Sequence, residues 1–339
     1  MVRLGEGAFV SFGIVNGYAT DGTSTNTTLP IRVQGGDLSM QFERDRLEFE
    51  DLDQIQNVSA LVLGGQKRVT GTLTMRIAYS ELGDILRILT GDNQAISISL
   101  NNTYAIKSPT DATHTFFGTT IRHIVMEVMT NDATNAIFYQ GLEVTNFQFT
   151  FEANNYVTLQ ITFLGRDITR TAKSATPTYL SDYIASPSGQ AALLFTLEGT
   201  TYRSNSVTVT VDLPLEHRYD VIDVAPSTHP LPTGKRTVTV EADIEAPDTD
   251  ATLMSALEDP VANKFLGAST NKVDLVTDAS NQLTLTFGDL WLNPPGEARP
   301  EGIGVLRASL SMLAKNDGTL DDLTILGKSP QSAYLITVV

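Results

Sequence analysis

The sequence has no cysteine, a single tryptophan and only four histidines among its 339 residues. Without cysteine, the chain can form no disulfide framework and can perform no thiolate chemistry. No apolar run approaches the ~18 residues that a membrane-spanning helix needs, and the first residues lack the apolar segment of a secretory signal. We therefore expect a protein that is made in the cytosol and does not enter a membrane by itself.

Motifs for catalysis or cofactor binding are also missing. The four histidines, His114, His123, His217 and His229, are scattered along the sequence, and no two have the i, i+4 spacing of a zinc motif. The glycine-rich segments lack the residues of a phosphate-binding or dinucleotide-binding loop, and the acidic clusters lack the spacing of a calcium loop. The sequence thus predicts no catalytic residue, no metal ligand and no cofactor, and we expect that the protein is not an enzyme.

Charge of one sign dominates the chain. It carries 39 acidic and 23 basic residues, which gives a net charge of −16. Such a balance disfavours tight binding of polyanions, and a protein that reads a nucleic-acid sequence would be expected to present a basic face. Two interpretations remain open: the charge serves solubility alone, or it forms a surface that DNA must pass without sticking.

Alternation of polar and apolar residues is the main pattern along the chain, as in segments 38–42, 69–77 and 147–151. Because successive side chains of a strand point to opposite faces, each such segment has one buried and one wet face. Many short alternating segments separated by Gly, Asn and Asp indicate antiparallel sandwiches or barrels. Only residues 79–89 and 247–257 show the spacing of short helices.

The chain also repeats itself after about half its length. The pairs Leu47-Glu48 and Lys67-Arg68 recur 168 positions later, and the Leu-Gly pair at 164–165 recurs at 326–327. Two units of this size are too few for a solenoid, so a duplicated domain is the better interpretation. We predict a mainly β protein of two tandem antiparallel β-sandwich or barrel domains, each with one short α-helix. The first domain takes residues 1–168, a linker takes 169–190, and the second domain takes 191–339.

The order of these elements resembles that of the major tail tube proteins of long-tailed, siphovirus-like bacteriophages. The resemblance lies in a hairpin with a long loop (38–77), a short helix that ends in Leu89-Thr-Gly91, and paired late strands that end in Phe163-Leu-Gly165-Arg166. The run Tyr139-Gln-Gly-Leu-Glu-Val144 is similar to the one that opens the late strands in that family. Because each half carries the pattern, the resemblance covers the whole chain.

The resemblance implies a structural virion protein. Members of the family assemble as six-membered rings that stack into the tube used for DNA ejection, so a chain with two copies would form trimeric, pseudo-hexameric rings by self-assembly. The implied partners are further copies of the chain, the tape measure protein, the tail terminator, baseplate or tip proteins, and double-stranded DNA that passes without sequence-specific binding. The implied location is the virion tail, assembled in the cytoplasm of the host bacterium.

Two surfaces follow from this interpretation. The wet faces of the hairpins are expected to line the lumen, with Arg76 in a salt bridge across the wall, and the charged loop 44–66 is expected to contact the next ring. The lumen-facing candidates are Ser39, Gln41, Glu43, Thr70, Thr72, Thr74, Thr208, Thr210, Asp212, Thr239, Glu241 and Asp243. The inter-ring candidates are Arg44, Asp45, Arg46, Glu48, Glu50, Asp51, Asp53, Lys67, Arg68, Lys235 and Arg236.

Other classes of protein remain open alternatives. Another β-sandwich virion protein, such as a tail-tip hub or a capsid decoration protein, would share the composition, and only stacked rings would separate the tube from it. A carbohydrate-binding sandwich usually presents several exposed aromatic side chains in its groove. The only tryptophan, Trp291, is expected in the core, which disfavours that class.

Overall fold

The computed structural model describes the chain in many segments. They are residues 9–18, 20–23, 27–31, 33, 38–49, 61–94, 102–108, 110–129, 132, 134–174, 182, 184, 193–217, 229–247, 250–258, 264–266, 271–278, 281–292, 297–302, 305–316, 321–331 and 333–336. Within them the protein is mainly antiparallel β with two α-helices, which confirms the mainly antiparallel β architecture that the sequence predicted.

Nine strands and the first helix belong to the described part of the first half. They are β1 (Phe9–Asn16), β2 (Thr27–Ile31), β3 (Leu38–Phe49), β4 (Leu61–Arg76), α1 (Leu82–Thr90), β5 (Asn102–Ala105), β6 (Arg122–Met129), β7 (Asn135–Glu152), β8 (Thr158–Gly165) and β9 (Asp167–Ala172).

The described second half contains twelve strands, several of them very short, and the second helix. They are β10 (Leu193–Leu197), β11 (Thr200–Asp212), β12 (Leu215–Glu216), β13 (Leu231–Pro232), β14 (Thr237–Pro247), α2 (Ala251–Glu258), β15 (Lys264–Phe265), β16 (Asn271–Asp278), β17 (Asn281–Phe287), β18 (Asp289–Leu292), β19 (Glu297–Gly302), β20 (Val305–Lys315) and β21 (Leu323–Lys328).

One continuous sheet runs through both halves. Its strand order is β3-β4-β8-β7-β11-β14-β20, and β18 and β19 both pair with the far side of β20. The two halves meet where β7 pairs with β11, in a register that runs from Glu152 opposite Ser206 to Asn146 opposite Asp212. Each half therefore supplies a hairpin and the strands beside it to the same sheet.

A further set of strands in each half packs behind this sheet. In the first half the order is β2-β1-β6-β7-β9, and the long strand β7 reaches it with its early residues after a bend at Gly141 (φ +64°). In the second half the order is β10-β16-β17-β21. In the second half, three strands, β17, β18 and β19, take the positions that the single long strand β7 takes in the first half. Strand β5 of the first half adds to β21, so the halves also join here.

The strand register corrects the sequence alignment of the two halves. Val69 lies opposite Gly165 and Val238 lies opposite Ala314, so β20 occupies the place of β8. Gly327 belongs to β21, which pairs with β17 and β5 instead. The predicted match of the Leu-Gly pairs at 164–165 and 326–327 is therefore wrong. Residues of the first hairpin correspond to residues 169 positions later, and not 168, because buried Val69 corresponds to buried Val238. An alignment shifted by one residue would exchange the two faces of each strand.

Helix α1 follows a 3₁₀ turn at Tyr79–Glu81 and is buried along its whole length. As predicted, Gly91 ends it in the left-handed conformation (φ +69°), and its N–H donates to the Arg87 carbonyl at 3.0 Å. Before the helix, the N–H and the hydroxyl of Ser80 both donate to the Asp182 carboxylate. The polar residues of the helix are buried as well, because the helix is covered on several sides.

The C-terminal segment supplies part of that cover. The carboxylate of Asp84 accepts the N–H groups of Leu335 and Ile336 at 2.7 and 3.0 Å. The guanidinium of Arg87 lies 4.6 Å from the ring centre of Tyr334. These contacts tie the end of the second half to the helix of the first half. The second helix starts later than predicted, at Ala251, because β14 continues to Pro247.

Candidate lumen face and assembly surfaces

The continuous sheet has one apolar and one polar face. Phe147, Phe149 and Phe151 of β7 are fully buried, with neighbouring ring centres 5.9 and 6.1 Å apart. The residues between them, Gln148 and Thr150, lie on the opposite face. This follows from the two-residue period of a strand. The apolar face packs into the core, which leaves the polar face free to serve as a surface.

All twelve predicted lumen-facing residues lie on this polar face, and none of them is buried. The structure thus brings together candidates from hairpins that are far apart in sequence. It also adds residues of β7 and β8 that the sequence prediction left out, although their alternation was visible. They are Asn146, Gln148, Thr150, Glu152, Thr158, Gln160 and Thr162.

The centre of the polar face is lined by uncharged groups. Thr74, Gln160, Gln148, Thr210 and Thr239 lie side by side on five neighbouring strands. The row crosses the junction of the halves without interruption. Its hydroxyl and amide groups can bind water but carry no charge to attract or repel a ligand strongly.

The basic groups Arg68 and Arg76 on the first half of this face are paired or stacked. Arg68 forms a salt bridge with Glu43 across the β3–β4 hairpin. Arg76 was expected in a salt bridge across the wall; instead, its guanidinium lies 4.8 Å from the ring centre of Tyr156. The basic groups here are therefore held by neighbours within the chain.

The second half of the face is more acidic. Asp212, Glu241, Asp243 and Glu245 all lie on it. Arg307 on β20 contacts this group, with its Nη2 atom 2.9 Å from a carboxylate oxygen of Glu245. Arg203 lies opposite Glu245 on this face as well. Two guanidinium groups against four carboxylates leave the described part of this region negative, consistent with the net charge of the chain.

The segments between β11 and β14 fold back onto the first half. The His217 Nε2 atom lies 3.0 Å from the Gly165 carbonyl oxygen at the end of β8. The His229 Nδ1 atom lies 2.9 Å from a carboxylate oxygen of Glu143 on β7. The ring of Tyr18 approaches the His229 ring at 4.5 Å, and that of Phe117 at 4.9 Å. The second half is therefore anchored on the first beyond the shared sheet.

The four histidines are not scattered in the folded chain. All are buried, and His229 lies close enough to His114, His123 and His217 for its charge to lower the pKa of each. Burial lowers the pKa of His114 to about 4 and that of His123 to about 3, and it also lowers the pKa of His217. The Nδ1 atom of His114 accepts the N–H groups of two residues that follow it, which fixes a neutral tautomer. Histidines that are scattered along the sequence are therefore brought together by the fold.

Glu143 is the acidic member of this cluster. Burial raises its pKa, and the neighbouring His229 partly offsets that effect. Among the described residues, no group of three or more His, Asp or Glu side chains is arranged to hold a metal ion. The cluster therefore forms a buried polar contact between the halves. Sequence reasoning missed it because its members come from four different segments.

The predicted inter-ring residues fall into three groups. Lys67 contacts Asp167 at 2.8 Å, Arg68 contacts Glu43, and Arg236 forms a salt bridge with Asp322, so these three are engaged within the chain. Arg44 and Lys235 are exposed. The side chains of Asp45, Arg46 and Glu48, and all of Glu50, Asp51 and Asp53, lie outside the described residues.

The two ends of the sheet are open in the described part of the chain, where β3 pairs with β4 alone and β19 pairs with β20 alone. Beside β19, Trp291 of β18 lies between two lysines, with the Lys315 ammonium 4.3 Å and the Lys264 ammonium 5.0 Å from its ring centre. Trp291 is only partly buried. The expectation that it belongs to the core is therefore wrong.

Comparison with known proteins gives the class of this fold. The model of the phage tail tube protein family matches residues 22–314, which is most of the chain. The chain therefore belongs to the phage tail tube protein family and is a structural component of the virion tail. A search among curated proteins found no match. In the described part of the chain, no helix is both long enough and apolar enough to cross a membrane.

Proposed function

We propose that the two halves are copies of one tube domain, and that three chains close into a pseudo-hexameric ring around the polar face of the shared sheet. The observation that carries the proposal is the β7–β11 junction, in which one half already pairs edge to edge with the other. The open edges β3 and β19 are the equivalents of β11 and late β7. Pairing them between chains would repeat the internal junction and remove both edges.

The internal junction predicts the register between chains. Because β20 occupies the place of β8, Ser309 corresponds to Gln160. Gln148 lies opposite Gln160 and Glu297 lies opposite Ser309, so Glu297 takes the position of Gln148. Thr210 faces Gln148 across the junction. Its hairpin equivalent in β3, at the offset of 169, is Gln41. We therefore place Glu297 of one chain opposite Gln41 of the next.

The resulting cylinder is wide enough for a channel. Each half supplies four strand positions to the sheet, so three chains would supply about twenty-four, and barrels of 16–18 strands already enclose an aqueous pore. Strands ~4.8 Å apart and tilted by ~40° give a backbone diameter of roughly 45–50 Å. The interior would carry the polar face described above.

This lining suits the passage of DNA. Hydroxyl and amide groups at the centre and carboxylates on the second half offer little attraction to phosphate, whereas a basic lining would bind the backbone and slow its movement. We propose that the rings stack into a tube through which the genome is ejected, that the loop joining β3 to β4 contacts the next ring, and that the tape measure, terminator and tip proteins bind the ends. Assembly in the host cytoplasm belongs to the same proposal.

Disulfide cross-linking tests the ring directly, because the chain has no cysteine of its own. The double variant Gln41→Cys with Glu297→Cys is expected to yield covalent trimers on oxidation, and electron microscopy of the unmodified protein should show rings or tubes. The matched control, Phe42→Cys with Glu297→Cys, moves one thiol to the other face of β3 and should not cross-link. A protein that stays monomeric at every concentration would contradict the proposal.

A further inference from the structure

The contact between the halves involves more than strand pairing. After β11, the chain leaves the sheet and covers the first half near the ends of β7 and β8, where His217 meets the Gly165 carbonyl and His229 meets Glu143. This part of the hairpin forms a separate two-stranded ladder in which Leu215 lies opposite Pro232. A docking place for a hairpin thus exists on the first half, beside the junction.

The same place can be located on the second half from the strand register. Glu143 lies opposite Leu164 of β8, and Trp291 lies opposite Leu313 of β20, so Trp291 takes the position of Glu143. By the same register, Ala314 takes the position of Gly165, and Lys315 follows directly. The equivalent of the His229 site is therefore the surface around Trp291.

This surface differs in chemistry from its counterpart. Lys315 and Lys264 hold their ammonium groups over the Trp291 ring at 4.3 and 5.0 Å. The Lys264 ammonium is also 3.5 Å from the Asp289 carboxylate. We name Lys264, Trp291 and Lys315 the Lys–Trp patch. It presents two cations beside a partly buried aromatic ring, where the first half presents a buried carboxylate.

We propose that the Lys–Trp patch receives the β3–β4 hairpin of a second copy of the chain, an inference that rests on the ring closure proposed above. That hairpin is the equivalent of the one that covers Glu143, and its ladder continues as far as Phe49 opposite Leu61. Between Arg44 and Lys67, its sequence carries five acidic residues (Asp45, Glu48, Glu50, Asp51 and Asp53) and one basic residue, Arg46. This excess of acidic residues is complementary to the two lysines. Such complementarity favours one register over others.

Charge reversal tests the docking. The variant Lys264→Glu with Lys315→Glu is compared with a control that makes the same change in net charge elsewhere, Lys272→Glu with Lys328→Glu. Native mass spectrometry gives the protein concentration at which half of the chains are in rings. We expect this concentration to rise by about tenfold or more for the patch variant, since opposed charges at an interface become like charges, and to stay within about twofold for the control.

A second variant separates docking from folding. Adding Asp45→Lys and Glu48→Lys to the patch variant exchanges the two sets of charges, and assembly should return to within about threefold of the unmodified protein. The thermal melting curves of the monomeric forms should coincide. Rings that form equally well from the patch variant would overturn this inference and leave the tube intact. Unmodified protein that forms no rings would overturn both.

Discussion

The Nδ1 atom of His229 lies 2.9 Å from the carboxylate of Glu143, and both side chains are almost completely buried. His229 belongs to the second half of the chain and Glu143 to the first, so the contact joins the two. Its neighbours are the rings of Tyr18 and Phe117. A polar contact in such surroundings is strong because little water competes for it, and costly to break for the same reason.

Truncation of His229 should therefore destabilise the protein. We expect His229→Ala to lower the free energy of unfolding by about 2–4 kcal/mol, because the Glu143 carboxyl loses the imidazole that faces it. Urea denaturation of the monomeric protein measures the loss. In the double variant with Glu143→Leu, part of the stability should return, since no buried carboxyl remains; equal losses in both variants would contradict the coupling.

Acid should weaken the fold through the buried histidines. The folded-state pKa of His123 is lowered by burial to about 3, against an ordinary value of about 6.5. The unfolded chain therefore binds more protons in this range, and the stability contribution is complete above pH 6.5 and is lost as the pH falls towards 3. The variant His123→Phe removes this proton-binding group from the unfolded chain. Its free energy of unfolding should fall less steeply between pH 6.5 and 4, by at most ~1.4 kcal/mol per pH unit, and a slope equal to that of the parent would refute the assignment.

Glu81 should act in the opposite direction. Burial raises its folded-state pKa to about 8, and its carboxyl oxygen accepts the Ala78 N–H at 2.8 Å. The folded chain thus holds a proton that the unfolded chain releases near pH 4.5, so the contribution is complete below pH 4.5 and is lost as the pH rises through 8. Glu81→Gln keeps the acceptor but cannot ionise. It should be more stable than the parent at pH 8 and similar to it at pH 4, as measured by chemical denaturation; a constant difference would speak against a raised pKa.

The two faces of the shared sheet should respond differently to truncation. Phe149 is fully buried and packs between Phe147 and Phe151. Phe149→Ala should cost about 3–5 kcal/mol, the usual range for a large cavity in a core. The neighbouring change Thr150→Ala, on the polar face, should alter the free energy of unfolding by about 0.5 kcal/mol or less. Similar losses at both positions would show that the face assignment is wrong.

Local patterns predicted much of the fold. The alternation in 38–42, 69–77 and 147–151 predicted strands and their faces correctly, and Gly91 marked the end of the first helix. These features depend on neighbours within a few residues, so they can be read without the fold. The alignment of the halves was less secure. A Leu-Gly pair ends β8 and another lies in β21, and two strands with the same local ending can pair with different partners.

What the sequence alone determined is the class of the protein: a mainly β chain with a polar and an apolar side to each strand, and no recognisable chemistry. Only the tertiary structure decided which strands share a sheet, that His229 meets Glu143, and that Trp291 lies between two lysines. Those relationships join residues that are distant along the chain, and they depend on strand register. A register is fixed by the packing of the whole sheet, and no single segment carries enough information to set it.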